Sequence, residues 1–564
     1  MSIESLIYRA AIPIYYRKVG AFLRETHRSR EVQRERLFEK LGRNADSRFG
    51  RDHAFSEIRT LDDFRRRVPI TDYEYYREYI ESVKRGDLGA MFGPGTRVLM
   101  FAMTSGTTNR PKFIPVTSQF FAEYRRSWHV WGAANYHGHV DQIHKKTLQL
   151  TSNWRQLVTE SGIPCGNISG LAAEAAPAVT RRVFVLPREV VRIDDPAAKH
   201  YAALRLTLAE PNVGMIITAN PSTLIEFARR ADRQRESLIR DIHDGTLTGA
   251  ELPAAIRASL EPRIRRRNPR RANELERIID QHGMLYPRYA WPDLSLLAVW
   301  MGGSVGVYLP RLGEYFGDTA LRDHGLSASE GRMTIPLEDG TSSGILDYVH
   351  HYYEFIPEEE IDRPNPTVLE AHELQEGRNY FILLTTSAGL YRYNIHDLVR
   401  CEAFEGQVPV LRFLSKGAHF SSLTGEKLSE FQVVSAVQAG FSELGMRIET
   451  FTIAPRVEGD RPGYVLLLEA GIEKGRAADL LRFVDSQLRQ LNCEYADKVR
   501  SRRLEPLSLI EIPEGAWDRF RAGRISRRGN LEEYKHPCLV NDLQFAERLS
   551  TLDSTDGTTT SDSL

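Results

Sequence analysis

The chain contains 564 residues, of which 41% are hydrophobic and 27% charged, and its 75 basic and 75 acidic side chains give a net charge of zero. This balance lacks the excess of Lys and Arg that binding to nucleic acid or an anionic membrane requires. The composition is that of a globular protein rather than a disordered one, and no apolar run approaches the roughly 18 residues of a membrane span. The length predicts about four structural units, or fewer large ones.

Cysteine usage and the N-terminus indicate a reducing compartment. The four cysteines, at positions 165, 401, 493 and 538, are too few for a disulfide scaffold and form no C-x-x-C pair of a structural zinc site. Charges such as Glu4 and Arg9 interrupt the apolar N-terminus, and no small-residue cleavage site follows it. We therefore expect no signal peptide and a cytoplasmic location.

Residues 1–90 have the apolar spacing of helices and end near a Gly-Pro-Gly turn signal at 93–95. Beyond this turn, short apolar runs separated by polar or helical segments predict buried strands. These runs are 98–103, 183–186, 213–218, 294–300 and 380–385. Alternating strands and helices predict an α/β architecture. The arginine-rich residues 251–277 predict an exposed helical hairpin, because the overall charge does not support a nucleic-acid patch.

A second unit follows residues 412–417 and has the pattern of a compact α+β module. Its predicted elements are a helix at 430–444, strands near 448–454 and 463–469, a helix at 475–491 and a strand near 507–512. Small polar residues dominate the end of the chain and predict a disordered tail. The predicted domains are therefore 1–414 and 415–549, with a tail at 550–564.

The sharpest motif is Thr-Ser-Gly-Thr-Thr-Asn-Arg-Pro-Lys over residues 104–112. Such a loop offers backbone N–H groups and hydroxyls to phosphate oxygens, and Lys112 adds a positive charge. It is not a P-loop, because the second Gly is missing and Phe113 follows the Lys. The motif predicts a phosphate site, although a polar surface turn has the same composition.

Two carboxylates stand out downstream of this loop. Glu330 ends the polar turn 326–330 and can hold a magnesium ion that bridges phosphates, although helix caps use the same residue types. Asp397 follows an apolar run and can accept both hydroxyls of a ribose, the alternative being a salt bridge to Arg392 or Arg400.

With the segments Thr-Gly-Glu-Lys-Leu-Ser-Glu (424–430) and Glu-Tyr-Lys-His-Pro (533–537), these motifs resemble the acyl acid–amido synthetases first known from auxin-responsive plant proteins, the Gretchen Hagen family. Segments 63–70 and 300–304 belong to the same resemblance. It implies a bacterial-type member with a large N-terminal α/β domain of the acyl-adenylate-forming type and a smaller, mobile C-terminal α+β domain. It also implies that ATP, with Mg²⁺, activates a carboxylic acid as an acyl-AMP, whose acyl group passes to an amine, usually an amino acid.

The resemblance implies roles for individual residues. The ATP-binding set is Thr104, Ser105, Gly106, Thr107, Thr108, Ser329, Glu330, Tyr391, Asp397 and Lys416. The catalytic set is Lys112, Glu330 and Lys535, with Glu330 also the magnesium ligand. The walls of the acyl pocket are Trp128, Trp131, Tyr136, Trp154 and Tyr308, although aromatic residues at such spacing are more often core. The departures from the family pattern are Asn109 for a Gly, Leu326 for an adenine-stacking aromatic, His396 for the Gly before Asp397, and Ser415–Lys416 for a Gly-Arg hinge.

Other readings remain open. Residues 302–306 fit the G-x-S-x-G pattern of a serine hydrolase, but Asp347 and His350 or His351 lie too close together in sequence to be persuasive partners. The His pairs at 137 and 139 or 350 and 351 lack further metal ligands at a recognisable spacing. A thiol acceptor such as coenzyme A, or a pseudo-enzyme that only binds nucleotide, would also fit the motifs.

Overall fold

The computed structural model describes residues 13, 17–104, 112–417, 420–424, 426, 428–447, 450–458, 461–471, 474–501, 503–528 and 534–550. The loop residues 105–111 and the predicted tail from residue 551 lie outside the described residues. The chain divides into two compact units: unit 1 comprises residues 1–301 and 313–413, and unit 2 comprises residues 302–312 and 414–564.

Helices dominate the first hundred residues of unit 1, as the apolar spacing predicts. Residues 17–24 are helical. The following helices are α1 (Ser29–Arg43), α2 (Arg48–Asp52), α3 (Leu61–Arg67), α4 (Tyr73–Lys84), α5 (Ser118–Gly138), α6 (Ile168–Glu174), α7 (Ala178–Arg181), α8 (Pro196–Leu208), α9 (Pro221–Arg233), α10 (Arg235–Asp244), α11 (Ala254–Ile264), α12 (Pro269–His282), α13 (Pro287–Ala290) and α14 (Leu309–Phe316). Helices α11 and α12 confirm the predicted helical pair at 251–277.

The start of α4 is fixed by its N-cap. The Asp72 carboxylate accepts the backbone N–H groups of Glu74 and Tyr75 at 3.0 and 3.3 Å. Such a cap satisfies donors that a helix N-terminus leaves unpaired and contributes about 1 kcal/mol. It places Tyr73 at the first helical position, where the residue takes part in the site described below.

The strands of the first two sheets and the short strands near the predicted Ser-Glu turn come next in the chain. They are β1 (Val98–Thr104), β2 (Lys112–Thr117), β3 (Lys146–Gln149), β4 (Leu157–Val158), β5 (Pro164–Gly166), β6 (Val213–Ile217), β7 (Leu296–Val299), β8 (Ala320–Asp323), β9 (Ser327–Ala328) and β10 (Gly331–Arg332). One sheet has the order β2-β1-β5-β4, and another has the order β3-β6-β7-β8 with all neighbours parallel. The parallel sheet and its connecting helices confirm the α/β prediction.

A seven-stranded sheet follows. Its strands are β11 (Thr334–Ile335), β12 (Ser343–Leu346), β13 (Tyr352–Pro357), β14 (Leu369–Glu370), β15 (Asn379–Thr386), β16 (Leu390–Glu405) and β17 (Val408–Lys416). They are arranged in the order β11-β12-β17-β16-β15-β13-β14. One predicted strand is wrong: residues 183–186 form only an isolated bridge between Phe184 and Thr147.

Unit 2 contains the predicted α+β elements. Its strands are β18 (Phe420–Ser421), β19 (Leu428–Ser429), β20 (Thr452–Glu458), β21 (Arg461–Glu469) and β22 (Ser508–Ile512), and its helices after residue 414 are α15 (Glu430–Glu443), α16 (Lys474–Leu491), α17 (Cys493–Arg500), α18 (Ala516–Arg528) and α19 (Phe545–Ser550). Strands β20, β21 and β22 form one sheet in that order. A capping box between Ser429 and Gln432 begins α15.

Candidate active site

The predicted phosphate loop connects two antiparallel strands. Thr104 ends β1, Lys112 begins β2, and the two residues are paired across the hairpin. Ser105, Gly106, Thr107 and Thr108 lie outside the described residues, as does the departure at Asn109. The described strand ends therefore fix where the loop begins and ends in unit 1.

Tyr73 holds the strand that carries Lys112. The backbone N–H of Phe113 donates to the Tyr73 hydroxyl at 2.9 Å, and the Lys112 ammonium lies 5.5 Å from the centre of the Tyr73 ring. Burial raises the pKa of Tyr73 to about 12, so the phenol is protonated at neutral pH. The first residue of α4 thus positions the far end of the predicted phosphate loop through a hydrogen bond and a cation–π contact.

The segment before α4 also joins β16. The Thr71 N–H donates to the Arg392 carbonyl at 3.1 Å, and the Asn394 N–H donates to the Thr71 carbonyl at 2.7 Å. Tyr393, between these two strand residues, is only 1% exposed. Burial, followed by the negative charge of Glu330, raises the pKa of Tyr393 above its usual range, and Tyr73 adds to the shift. Tyr393 therefore has the predicted metal ligand and the anchor of Lys112 as electrostatic neighbours.

Glu330 occupies a tight turn. Ser329 and Glu330 connect β9 to β10, since Ala328 pairs with Gly331. The Glu330 side chain is 5% exposed. Within the described residues, no group of three or more His, Cys, Asp and Glu side chains is arranged to hold a metal ion. A magnesium ion bound to nucleotide phosphates needs only one or two protein carboxylates, and a buried Glu330 fits that requirement.

The sequence predicts that Asp397 follows a strand. In the structure it lies instead within β16, in a β-bulge. Across the β15–β16 pair, Asn394 faces Leu383 and Leu398 faces Phe381, so residues 395–397 face Ile382 alone. A bulge of this kind redirects side chains and is frequent next to active sites. The Asp397 side chain is 2% exposed.

The bulge also explains the departure at His396. His396 has a φ of 59°, in the left-handed region that favours glycine. The Asn394 side chain accepts the His396 N–H at 2.8 Å and supports this conformation. The family's Gly before the aspartate therefore matches a backbone requirement, which this chain meets with a strained His.

The Tyr391 side chain serves the core. Its hydroxyl accepts the Asn44 amide at 2.8 Å and donates to the Lys40 carbonyl at 3.2 Å. Its ring stacks on Phe49 with centroids 5.5 Å apart, and the residue is fully buried. These contacts give Tyr391 a structural role in addition to the nucleotide role that the resemblance implies.

The Arg392 side chain is also fixed by hydrogen bonds within unit 1. Its guanidinium donates to the Glu354 carboxylate and to the Val68 carbonyl, both at 2.8 Å. Arg392 has a φ of 47°, and a one-residue bulge opposite Thr385 accommodates it. The ion pair therefore stabilises a strained backbone position next to Tyr393.

The predicted acyl-pocket residues fall into separate places. Trp131 is buried and donates its ring N–H to the Asp323 carbonyl at 2.8 Å, and the half-buried Trp128 lies edge-on to it at 4.9 Å. Trp154 is half-buried under the Arg155 guanidinium, 4.3 Å from its ring.

The two other residues predicted for the pocket are Tyr136 and Tyr308. Tyr136 is half-buried near the end of α5. Tyr308 belongs to unit 2, where burial raises its pKa and Tyr534 and Cys538 are its electrostatic neighbours.

Two predicted lysines also belong to unit 2. Lys416 ends β17, and Lys535 is exposed. Burial raises the pKa of Glu430, and the positive charge of Lys535 opposes that rise. Leu326, the departure at the adenine position, is buried in the core of unit 1.

The acid and the histidine of the hydrolase alternative form a cluster with Ser127 in unit 1. The His350 Nδ1 atom contacts both Asp347, at 2.7 Å, and the Ser127 hydroxyl, at 3.2 Å. A triad needs the two ring nitrogens to bind acid and nucleophile separately, so this cluster cannot relay a proton in that manner.

Sequence reasoning missed Tyr73 and Tyr393. Tyr73 was detectable as the residue after a capping Asp, and Tyr393 as the second tyrosine of Tyr-Arg-Tyr-Asn at 391–394. Neither signal reveals that the two side chains flank Lys112 and Glu330. Among the described helices, none combines the length and apolarity required to cross a membrane.

Comparison with known proteins identifies the family. The GH3 family N-terminal domain matches residues 18–321, its central domain 344–416 and its C-terminal domain 431–544. The chain is 25% identical to the jasmonoyl–L-amino acid synthetase GH3.5 of Oryza sativa subsp. japonica, over 93% of this chain and 94% of that protein. It is 21% identical to the indole-3-acetic acid-amido synthetase GH3.3 of Arabidopsis thaliana, over 94% and 93%.

A solved structure confirms the predicted fold class. The GH3.15 acyl acid amido synthetase superposes with a TM-score of 0.83 at 20% identity, over 94% of this chain and 95% of that one. The matched family domains together span most of the sequence, in the order that the motifs predicted. The chain belongs to the GH3 family.

Proposed function

We propose that this protein is an ATP-dependent ligase that converts a carboxylic acid to its acyl-AMP and transfers the acyl group to an amine, with an amino acid as the expected acceptor. The observation that carries this proposal is a chain of neighbours in unit 1: Lys112 lies 5.5 Å from the centre of the Tyr73 ring, and Tyr73 and Glu330 are both electrostatic neighbours of Tyr393. Family relatives named as acid–amino acid synthetases support it, as does the 4-substituted benzoates–glutamate ligase GH3.12 of Arabidopsis thaliana, which is 22% identical.

Acid activation requires charge neutralisation more than proton transfer. A carboxylic acid is ionised near pH 7, so the attacking oxygen needs no general base. The protein must hold that oxygen in line with the α-phosphorus and neutralise the charge that accumulates there. The Lys112 ammonium and the N–H groups of the loop 104–112 are suited to this, and Asp397 is suited to accept the ribose hydroxyls. Magnesium, held by Glu330, would neutralise phosphate charge.

Further assignments rest on the resemblance alone. Lys416 and Lys535, in unit 2, take the nucleotide-contacting and catalytic roles that the resemblance gives them. A cytoplasmic location and membership of a bacterial-type branch belong to the same proposal. Nucleic acid is not expected as a partner, because the chain has no net positive charge.

A pyrophosphate-release assay tests the proposal. The enzyme, ATP and Mg²⁺ are incubated with a panel of carboxylic acids, and pyrophosphate is measured with and without each acid. Acid-dependent release supports adenylation, whereas nucleotide binding without release from any acid indicates a pseudo-enzyme. Mass spectrometry of products formed with amino acids or coenzyme A then distinguishes an amide from a thioester.

Two substitutions test the assigned residues. Lys112→Ala and Asp397→Ala should each lower acid-dependent release by at least about 100-fold while leaving the fold intact. Lys146→Ala is a matched control, because the Lys146 ammonium donates only to the Arg182 carbonyl, at 2.8 Å, on an exposed part of the parallel sheet. Full activity in either site variant would contradict its role.

A further inference from the structure

Arg332 stands out among the buried arginines of unit 1. It is 0% exposed, and its Nε and Nη1 atoms are both buried without a hydrogen-bond partner. Its Nη2 atom donates a hydrogen bond to the His324 carbonyl at 2.5 Å. An unsatisfied buried donor costs about 1–3 kcal/mol, and more when the group is charged. The position therefore requires an explanation.

Other buried arginines show how this chain normally treats the residue. Arg205 donates to the carbonyls of Thr246 and Ile264. Arg271 donates to the carbonyls of Leu208 and Ala290. Arg322 and Arg392 each bind a carboxylate and a further oxygen. Within the described part of the chain, Arg332 is the arginine that leaves two buried nitrogens unbonded.

No described carboxylate lies within ion-pair distance of Arg332. Asp323 and Asp347 contribute favourable electrostatics, but both already have partners. Asp323 accepts the backbone N–H groups of Met301 and Gly325, and Asp347 binds His350. The loop 105–111, which the structure does not describe, contains no acidic residue in its sequence.

Aromatic rings surround the Arg332 guanidinium. Its guanidinium lies over the Trp128 ring, 4.0 Å from the centroid. Trp128 is half-buried, and so is His324, which lies edge-on to it at 5.4 Å. Burial lowers the pKa of His324 to about 3, so the imidazole is neutral and does not supply a competing positive charge.

The location connects Arg332 to the proposed reaction. Arg332 belongs to β10, two residues after Glu330, and α5, which carries Trp128, follows β2 directly at Ser118. The contact between Arg332 and the Trp128 ring thus joins the strand that follows the Glu330 turn to the helix that follows the Lys112 strand. An acid held for activation near Glu330 would extend toward this pair.

We propose that Arg332 binds a second anionic group on the acid substrate, so that the preferred substrates are dicarboxylates or similar dianions rather than simple monocarboxylates. The inference rests on the proposed adenylation and names its substrate class. One carboxylate is activated, and the other replaces the Trp128 ring on the guanidinium as that half-buried ring moves aside. A carboxylate oxygen accepts a strong, charge-assisted hydrogen bond from a guanidinium N–H, and Arg332 has two nitrogens, Nε and Nη1, without such an acceptor.

Matched acids test the preference. Terephthalate is compared with benzoate, and adipate with hexanoate, by kcat/KM for pyrophosphate release. The wild-type enzyme should favour at least one dianion over its monoanionic match by tenfold or more. Arg332→Gln should reduce that ratio at least tenfold, and Arg332→Lys should restore only part of it. A wild-type preference for both monoanions, or an unchanged ratio in Arg332→Gln, would overturn the inference.

A stability readout separates this role from a structural one. Arg332→Met should change the melting temperature without ligand only slightly, because the loss of the donor to the His324 carbonyl is offset by the removal of two unsatisfied buried donors. Arg271→Met, the matched control, should lower it, because it leaves two buried carbonyls without their donors. A large loss of stability in Arg332→Met would identify the side chain as structural and contradict the proposal.

Binding without ATP keeps the test independent of the proposed function. Calorimetric titration with terephthalate and adipate should give a dissociation constant at least tenfold weaker in Arg332→Gln than in wild type. If no acid releases pyrophosphate but this difference is found, the adenylation proposal fails and the anion site stands. If pyrophosphate is released but wild type and variant bind these dianions equally or not at all, the anion site fails and adenylation stands.

Discussion

The hydroxyl of Tyr73 is the sharpest single test of the site geometry. Tyr73→Phe keeps the ring that faces Lys112 and removes only the acceptor of the Phe113 N–H, a bond of 2.9 Å in a partly buried place. Leaving that N–H unpaired costs about 1–3 kcal/mol. Since β2 begins at Lys112, the loss acts directly on the strand end that carries the lysine.

Two measurements report this change. Hydrogen–deuterium exchange of a peptide covering residues 112–117 should quicken by about tenfold or more, because 1.4 kcal/mol of lost protection is a factor of ten. The kcat/KM for acid-dependent pyrophosphate release should fall about 5–20-fold, since a loosely held Lys112 neutralises the reacting phosphate less well. The cation–π contact, worth about 0.5–1 kcal/mol at partly exposed sites, remains in the variant.

Tyr75→Phe is the matched control on the same helix. Its hydroxyl bonds the His53 ring at 2.7 Å, and the residue is 42% exposed. This variant should leave both exchange at 112–117 and pyrophosphate release near wild type. If Tyr73→Phe behaved like Tyr75→Phe in both assays, the positioning of Lys112 by Tyr73 would be refuted.

Three further predictions concern the metal ligand, a buried histidine and a strained turn. Glu330→Gln should raise the Mg²⁺ concentration for half-maximal pyrophosphate release at least about tenfold, measured by Mg²⁺ titration at fixed ATP. Burial lowers the pKa of His351 to about 4. The buried neutral imidazole therefore contributes its full share of the folding free energy above about pH 6.5. About 3 kcal/mol of that stability is lost as the pH falls from 6.5 through 4, because the unfolded chain binds the proton first. In His351→Leu the urea midpoint should therefore depend less on pH over that range than in wild type. Parallel pH profiles of the midpoint in the two proteins would contradict this prediction. Ala54 has a φ of 48°, so Ala54→Gly should raise the free energy of unfolding by about 1 kcal/mol, checked by urea denaturation.

Apolar runs predicted the fold well where they formed central strands. Residues 213–218 and 380–385 became β6 and β15, whose side chains are almost all buried. The prediction of a strand at residues 183–186 was wrong, because these residues form only one bridge, from Phe184 to Thr147, and Phe184 is half-buried. Apolar composition reports burial, but it does not report how many residues of a segment pair with the neighbouring strand.

The orientation of the site residues was harder to predict. A strict alternation along β16 would place Tyr391 and Tyr393 on one face. The bulge at Arg392 breaks that alternation: Tyr391 joins the core around Phe49, and Tyr393 gains Glu330 as an electrostatic neighbour. The register of a bulge depends on the partner strand, which a motif read along one chain does not contain.

The two strained residues of β16 explain how one long strand presents two functional side chains. A left-handed non-glycine residue costs roughly 1–2 kcal/mol, and β16 has two, Arg392 and His396. The Arg392 side chain is fixed at its bulge by Glu354 and by the carbonyls of Arg65 and Val68. At the second bulge, the His396 N–H donates to the Asn394 side chain, a bond worth about 1 kcal/mol that offsets part of the strain. Each strained residue therefore has a bond that stabilises it, next to Tyr393 in one case and next to Asp397 in the other.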